Sequence, residues 1–311
     1  MANMIATRDA YGEALRELGN KNKDIVVLDA DLSGSTKTAL FKEAFPERFF
    51  NVGIAEQNLI ATAAGLATAG KIPFASTFAV FAAGRAFEII RNSVCYPKLN
   101  VKIAATHAGL TVGEDGATHQ AIEDLSLMRS LPNMVVLSPA DGIEAKQCIY
   151  KAAEYNGPVY IRLGRSKVPV VFDEDYKFEI GKGVELVEGK DITLIATGIM
   201  VEKALRAAEG LEKEGISARV INISTIKPID KDIIVKAAKE TKGIVTIEEH
   251  SIIGGLGSAV AEVLVENHPT YMERVGVEDT FGESGDGGVL LEKYGLSVSN
   301  IMDKAKRILS K

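Results

Sequence analysis

The 311-residue chain contains no tryptophan and only two cysteines, Cys95 and Cys148. Neither cysteine lies in a CxxC pair or near a histidine, so no zinc site, no other metal site of the chain's own and no disulfide framework is implied. A reducing cytoplasm suits such a chain. Clustered basic residues are also missing, and the net charge is −6. Nucleic acid is therefore excluded as the main partner, because phosphate backbones demand grouped Lys and Arg. A small anionic ligand is not excluded, since one or two placed arginines suffice. Long apolar runs are absent too. The longest uncharged stretch, Gln57 to Gly70, is too short to span a bilayer. Met1 to Arg8 lacks the apolar core of a signal peptide. No membrane association is expected. Aromatic residues make up only 6% of the chain, so any cluster of phenylalanines stands out.

What is present is an ordinary globular composition, 46% hydrophobic and 25% charged. The length exceeds one typical core and predicts two domains. Short β-branched runs alternate with alanine-rich helical segments. Ile25–Asp29, Val101–Ala105, Met134–Leu137 and Val159–Arg162 read as strands. Arg8–Leu18, Ala55–Thr68 and Ile143–Tyr155 read as helices between them. Such alternation predicts a doubly wound α/β domain with a mostly parallel sheet over residues 1–166. Residues 167–190 are rich in Gly, Asp, Glu and Lys and read as a linker, with Val170–Phe172 and Val184–Val187 as short strands. A second βα series, ending in a strand over Tyr271–Val277 and an interrupted helix over Leu290–Leu309, predicts a smaller doubly wound α/β domain over 191–311.

Glu56 is the most informative single residue. It leads from Asn51-Val52-Gly53-Ile54-Ala55 into the uncharged run that follows. A carboxylate entering such a segment is expected to be at least half buried, and then must be paired, hydrogen-bonded or protonated. A carboxyl in an apolar site is a common device for proton chemistry. On local sequence alone, a surface glutamate favoured at a helix start by the dipole is the preferred account.

Other polar groups follow the predicted strands of the first domain: Asp31, Ser33 and Ser35, then Ser76-Thr77-Phe78 with Phe81, then His107, which leads to Gly113-Glu114-Asp115-Gly116-Ala117-Thr118-His119-Gln120. Open α/β sheets gather such residues at the carboxyl edge of their strands. Phe78 and Phe81, three apart, would share one helix face, either as ordinary core or as a ring-binding pair. Some signals are weaker. Gly254-Gly255-Leu256-Gly257 could bind a phosphate at a helix start, but its spacing departs from the dinucleotide fingerprint and tight helix–sheet packing is the preferred reading. Gly285-Asp286-Gly287 is read as a turn. His250 has no metal-ligand partner in sequence and is read as structural or interfacial.

Ile54-Ala55-Glu56-Gln57-Asn58, Ser76-Thr77-Phe78 and Gly113 to Gln120, together with Ala6-Thr7-Arg8-Asp9-Ala10-Tyr11-Gly12, Arg129 to Asn133 and Pro139 to Gly142, resemble the pyrimidine-binding domain of transketolase. Thr225 to Asp230 extends the resemblance into the second half. The resemblance implies a thiamine diphosphate enzyme of the pentose phosphate pathway whose diphosphate-binding half is a separate polypeptide carrying Mg2+ or Ca2+. It implies that Glu56 hydrogen-bonds the cofactor's aminopyrimidine, that Phe78 and Phe81 stack on it and that Asp31 lies nearby. It further implies that Arg8, Ser35, His107 and Arg165 hold a sugar phosphate, and that Asp115 and His119 address hydroxyls at the reacting carbons, with His119 assisting catalysis. The implied assembly is a dimer of this chain with two partner subunits. Deoxyxylulose phosphate synthase, the beta subunit of 2-oxo acid dehydrogenases and a non-catalytic binding subunit are the alternatives.

Overall fold

The computed structural model describes residues 3–311. In chain order the strands are β1 (Met4–Ala6), β2 (Ile25–Asp29), β3 (Phe49–Asn51), β4 (Ile72–Phe78), β5 (Lys102–Thr106), β6 (Val135–Leu137) and β7 (Val159–Arg162). They continue as β8 (Lys167–Pro169), β9 (Val184–Val187), β10 (Ile192–Ala196), β11 (Ala218–Asn222), β12 (Thr225–Lys227), β13 (Gly243–Ser251) and β14 (Tyr271–Val277). One sheet has the order β12-β6-β7-β5-β4-β2-β3, and a second β14-β13-β10-β11-β9. Both are parallel except for one antiparallel edge strand each, β12 and β9. The predicted doubly wound α/β architecture is therefore present in both halves. β2, β5, β6 and β7 are buried along their whole length, as strands covered by helices on both faces must be. No helix of the described residues is long and apolar enough to cross a membrane.

Three details differ from the sequence reading. In the 167–190 segment Val184–Val187 is a strand as expected, but the earlier strand is Lys167–Pro169, paired antiparallel with β1, and Val170–Phe172 is not a strand. Phe78 ends β4 while Phe81 begins a wide π-helical turn over Phe81–Arg85, so the two rings do not share a helix. β12 was not foreseen. It leaves the second half of the chain and pairs with β6 at the margin of the first sheet.

Buried polar side chains join the two halves. Glu144, fully buried, accepts from Ala140 N at 2.7 Å, Tyr176 OH at 2.8 Å, Asn222 Nδ2 at 2.8 Å and Ser224 Oγ at 2.7 Å. Arg162 Nε donates to both oxygens of buried Asp124, at 2.9 and 3.1 Å, and its Nη2 donates to the carbonyls of Ala121 and Glu249. Tyr160 OH donates to Asp124 Oδ2 at 2.8 Å. Glu249 Oε1 accepts from Thr111 N at 2.6 Å, and Gly109, at φ 80°, has no room for a side chain because a Cβ there would lie 2.3 Å from the Glu249 carboxyl carbon.

The glycine-rich segment before the helix Leu256–Asn267 proves to be closed to phosphate. Glu248 already occupies the anion position, accepting from Leu256 N at 2.7 Å and Gly257 N at 2.8 Å. A Cβ on Gly255 would lie 2.1 Å from Glu248 Oε2, which explains the glycine. Asp286 caps the short helix Gly287–Lys293 through Gly288 N and Val289 N. His250 is buried, with Nδ1 on Ser251 O and Nε2 facing Ser126 N. It is structural, at the joint between the halves.

Candidate functional site

The carboxyl ends of β2, β3, β4, β5 and β7 point to one edge of the first sheet. Asp31, Glu56, Phe81, His107 and Arg165 follow them directly in sequence. Glu56 opens the helix Glu56–Thr68, whose Leu59, Ile60, Ala63 and Ala64 are buried. That apolar face drags the first turn against the sheet, and Glu56 is left 2% exposed. The local surface reading of Glu56 is thereby removed. Its Oε2 accepts from Arg85 Nη1 at 2.8 Å, and among the described residues no other hydrogen bond reaches the carboxyl. The helix dipole favours a negative charge there.

Beside it stands an aromatic cluster. Phe78 and Phe81 are nearly parallel, with centroids 6.0 Å apart and planes at 12°. The imidazole of His107 stacks on Phe78 at 3.8 Å. His119 meets Phe81 edge-on at 5.5 Å and Phe78 at 6.4 Å, and its Nδ1 is 2.9 Å from Thr118 Oγ1. The cluster offers flat apolar faces next to a buried carboxyl, the two requirements of a site for a planar heteroaromatic with a ring nitrogen.

A cationic group adjoins the rings. Arg8, in the first turn of the helix Thr7–Lys21, donates from Nη1 to Ser35 O at 3.0 Å and to His107 Nε2 at 3.1 Å. Since arginine has no acceptor, His107 Nε2 accepts, and its proton is on Nδ1, facing Thr106 Oγ1 at 2.9 Å. Burial, followed by the charges of Arg8, Arg165 and His119, pushes the His107 pKa down to about 3. Burial also lowers the Arg8 pKa; Asp9 opposes the shift and Arg165 adds to it. Arg8 and Arg165 thus repel one another, and Arg8 Nε is buried with no hydrogen-bond partner among the described residues. Arg165 faces Asp115 at 3.6 Å and donates to Val112 O. An anion placed between the two arginines would relieve their repulsion.

Phe78, Phe81, His107 and His119 therefore come together, with Glu56 joined to them through Arg85, whose guanidinium lies over Phe81; so do Arg8, Ser35, Arg165 and Asp115. Ser35 takes part through its carbonyl. Asp31 stands apart: it is exposed and accepts from Asn51 Nδ2 at 2.8 Å, its one hydrogen bond among the described residues. His107 and Asp31 both adopt left-handed backbone, φ 58° and 64°, uncommon for residues with a side chain and frequent at functional sites. Arg85 was not foreseen. The signal available was its charge in a stretch from Gln57 in which Lys71 is the only other charged residue.

The low His107 pKa has a consequence for stability. In the folded chain His107 takes up its proton near pH 3, in the unfolded chain near pH 6.5. Between these values the unfolded state binds more protons, so this group costs stability as pH falls. The stability advantage of the native chain over His107→Gln should narrow by up to about 1.4 kcal/mol per pH unit from pH 6.5 to 4. Urea unfolding at several pH values measures this, and a constant difference would refute it.

Residues 3–171 match the transketolase pyrimidine-binding domain and residues 181–301 the transketolase C-terminal domain. A transketolase C-terminal section of Methanocaldococcus jannaschii is 57% identical over 97% of this chain and 95% of its own length. A 6-deoxy-6-sulfo-D-fructose transketolase subunit of a Clostridium species is 44% identical, over 97% of this chain and 94% of its own. A solved split-gene transketolase, in the form of an inactive β4 tetramer, superposes with a TM-score of 0.93 at 64% identity, covering 98% of this chain and 99% of that one. A pyrimidine-binding domain implies thiamine diphosphate as the cofactor, and the buried carboxyl beside stacked rings suits its ring. The chain belongs to the transketolase family, as the C-terminal subunit of a split transketolase and hence part of a transferase enzyme.

Proposed function

We propose that this chain supplies the pyrimidine-binding half of a thiamine-diphosphate-dependent transketolase. A separate subunit holds the diphosphate through a divalent metal, and the assembled enzyme moves a two-carbon ketol unit from a ketose phosphate to an aldose phosphate. The division into 1–166, 167–190 and 191–311, the heterotetramer and the cytoplasmic setting belong to the same reading. The observation that carries it is the burial of the Glu56 carboxyl beside the parallel rings of Phe78 and Phe81.

The cofactor supplies a thiazolium carbon that becomes nucleophilic on losing its proton. Glu56, buried at the head of its helix, would hold the pyrimidine's ring nitrogen by a hydrogen bond, the contact through which a carboxyl favours the ring's amino group as a base. Phe78 and Phe81 fix the ring's plane. Arg8 and Arg165 hold the terminal anion of the sugar, with Ser35 O and neutral His107 orienting Arg8. Asp115 and His119, flanking these two groups, hold hydroxyls near the reacting carbons, and His119 can exchange a proton with the oxygen that gains charge.

The chain alone should show no ketol transfer. With the diphosphate-binding subunit, thiamine diphosphate and Mg2+, it should convert xylulose 5-phosphate and ribose 5-phosphate into two new sugar phosphates. A donor panel that includes 6-deoxy-6-sulfofructose tests whether the arginine pair takes a sulfonate, as the name of the clostridial relative suggests. Product from pyruvate and glyceraldehyde 3-phosphate would assign the chain to synthase chemistry. No activity with any donor would overturn the enzymatic reading.

A further inference from the structure

One side chain occupies both positions that the proposed function gives to the cofactor's pyrimidine. Arg85 Nη1 donates to Glu56 Oε2 at 2.8 Å, and its guanidinium carbon lies 4.7 Å from the centroid of Phe81. The two contacts are independent, one an ion pair and the other a cation over a ring face. The pair is also lopsided: the Arg85 side chain is 50% exposed and Glu56 2%. A buried acid is thus held by a cation with water on its other side and room to swing.

The shapes correspond. A guanidinium is a flat array of nitrogens about an sp2 carbon, and an aminopyrimidine presents a flat N–C–N edge. Both satisfy a carboxyl in the plane and an aromatic ring on the face. The wide turn Phe81–Arg85 brings the two residues side by side, and π-helical turns of this kind are frequent at functional sites.

We propose that Arg85 is an internal stand-in for the pyrimidine, neutralising Glu56 and covering Phe81 in the empty subunit and leaving both when the ring binds. The inference rests on the function proposed above. Cofactor affinity is then reduced by the free energy of the contacts Arg85 must give up, because the competent arrangement, with Arg85 withdrawn, is only a fraction of the free population. The same contacts stabilise the empty chain, since without them Glu56 is a buried carboxylate with no partner.

The test is calorimetric titration of thiamine diphosphate with Mg2+ into the reconstituted pair of subunits, comparing native chain, Arg85→Met and Arg85→Lys. Arg85→Met should bind at least about fivefold more tightly than the native pair, while the free variant chain melts at a lower temperature. Arg85→Lys keeps the charge but not the flat donor array and should fall between. Equal or weaker binding by Arg85→Met overturns the inference, because a residue that stays on Glu56 in the loaded enzyme would be missed there. Should Arg85→Met not fold alone, Arg85→Lys against native carries the same order, and equal or weaker binding by that variant overturns it equally. Glu56→Gln separates the two levels. If it turns over sugars like the native enzyme, the proposed function fails. If it is inactive while Arg85→Met binds no more tightly, only the stand-in role fails.

Discussion

Glu56→Gln should lower ketol transfer by the reconstituted enzyme about a hundred- to ten-thousandfold and leave the chain folded. The amide is nearly isosteric with the carboxyl and fits the same 2%-exposed position at the head of its helix. It still meets Arg85 through its oxygen, so the structural loss is confined to one charge whose partner is half exposed, about 1 kcal/mol or less. What disappears is the acidic proton-sharing group against the ring nitrogen, and an amide cannot replace it. The loss should therefore fall on kcat, with the Km for sugar phosphates nearly unchanged, because Arg8 and Arg165 belong to the other part of the site. A variant that keeps a tenth or more of native kcat would take Glu56 out of the chemistry.

Asp124→Ala should destabilise the chain by about 3–5 kcal/mol, the range for breaking a buried ion pair. Asp124 is fully buried and Arg162 7% exposed. Removing the carboxylate leaves the guanidinium hydrogen-bonded to the neutral carbonyls of Ala121 and Glu249, with the more distant Glu249 carboxyl as its remaining counter-charge. It also strips Tyr160 of its acceptor. The double change Asp124→Ala with Arg162→Met should recover much of the loss, because the cost comes from the orphaned cation. For contrast, removing Glu154 from its exposed pair with Lys151 should shift stability by no more than about 0.5 kcal/mol. Urea unfolding followed by circular dichroism measures all three against the native chain. A loss under about 1 kcal/mol for Asp124→Ala would mean that the pair is not the fastening it resembles.

The parts of the molecule legible in the sequence are those that depend on local pattern. The β-branched runs of β2, β5 and β7 and the apolar helix after Glu56 announce themselves, and parallel-sheet geometry then collects the residues at their ends. The two phenylalanines illustrate a limit. Their spacing suggested one helix face, yet strand and turn deliver the rings to a near-parallel pair by another route. Arg85 shows a second limit. Its partner lies 29 residues away, and no pattern within a turn of either residue connects them. Lys102 shows a third. A lysine near the start of a predicted strand is ordinarily a surface residue, but its Nζ is sealed in by Asn100 Oδ1 and the carbonyls of Tyr155 and Gly157. Burial pushes its pKa down to about 7. Each of these depends on which distant segments share a space, information that a single chain's periodicity does not hold.

The pairing of Thr225–Lys227 with Val135–Leu137 also bears on how the molecule is made. On the ribosome, Val135-Val136-Leu137 emerges long before its covering strand. At ordinary rates of synthesis the first sheet waits on the order of ten seconds with an open, apolar margin. Such a margin is a template for pairing with other chains. Slowing translation between these segments, or releasing the nascent chain before Thr225 appears, should yield aggregates, and a chaperone acting on the nascent chain would have its work concentrated in that interval.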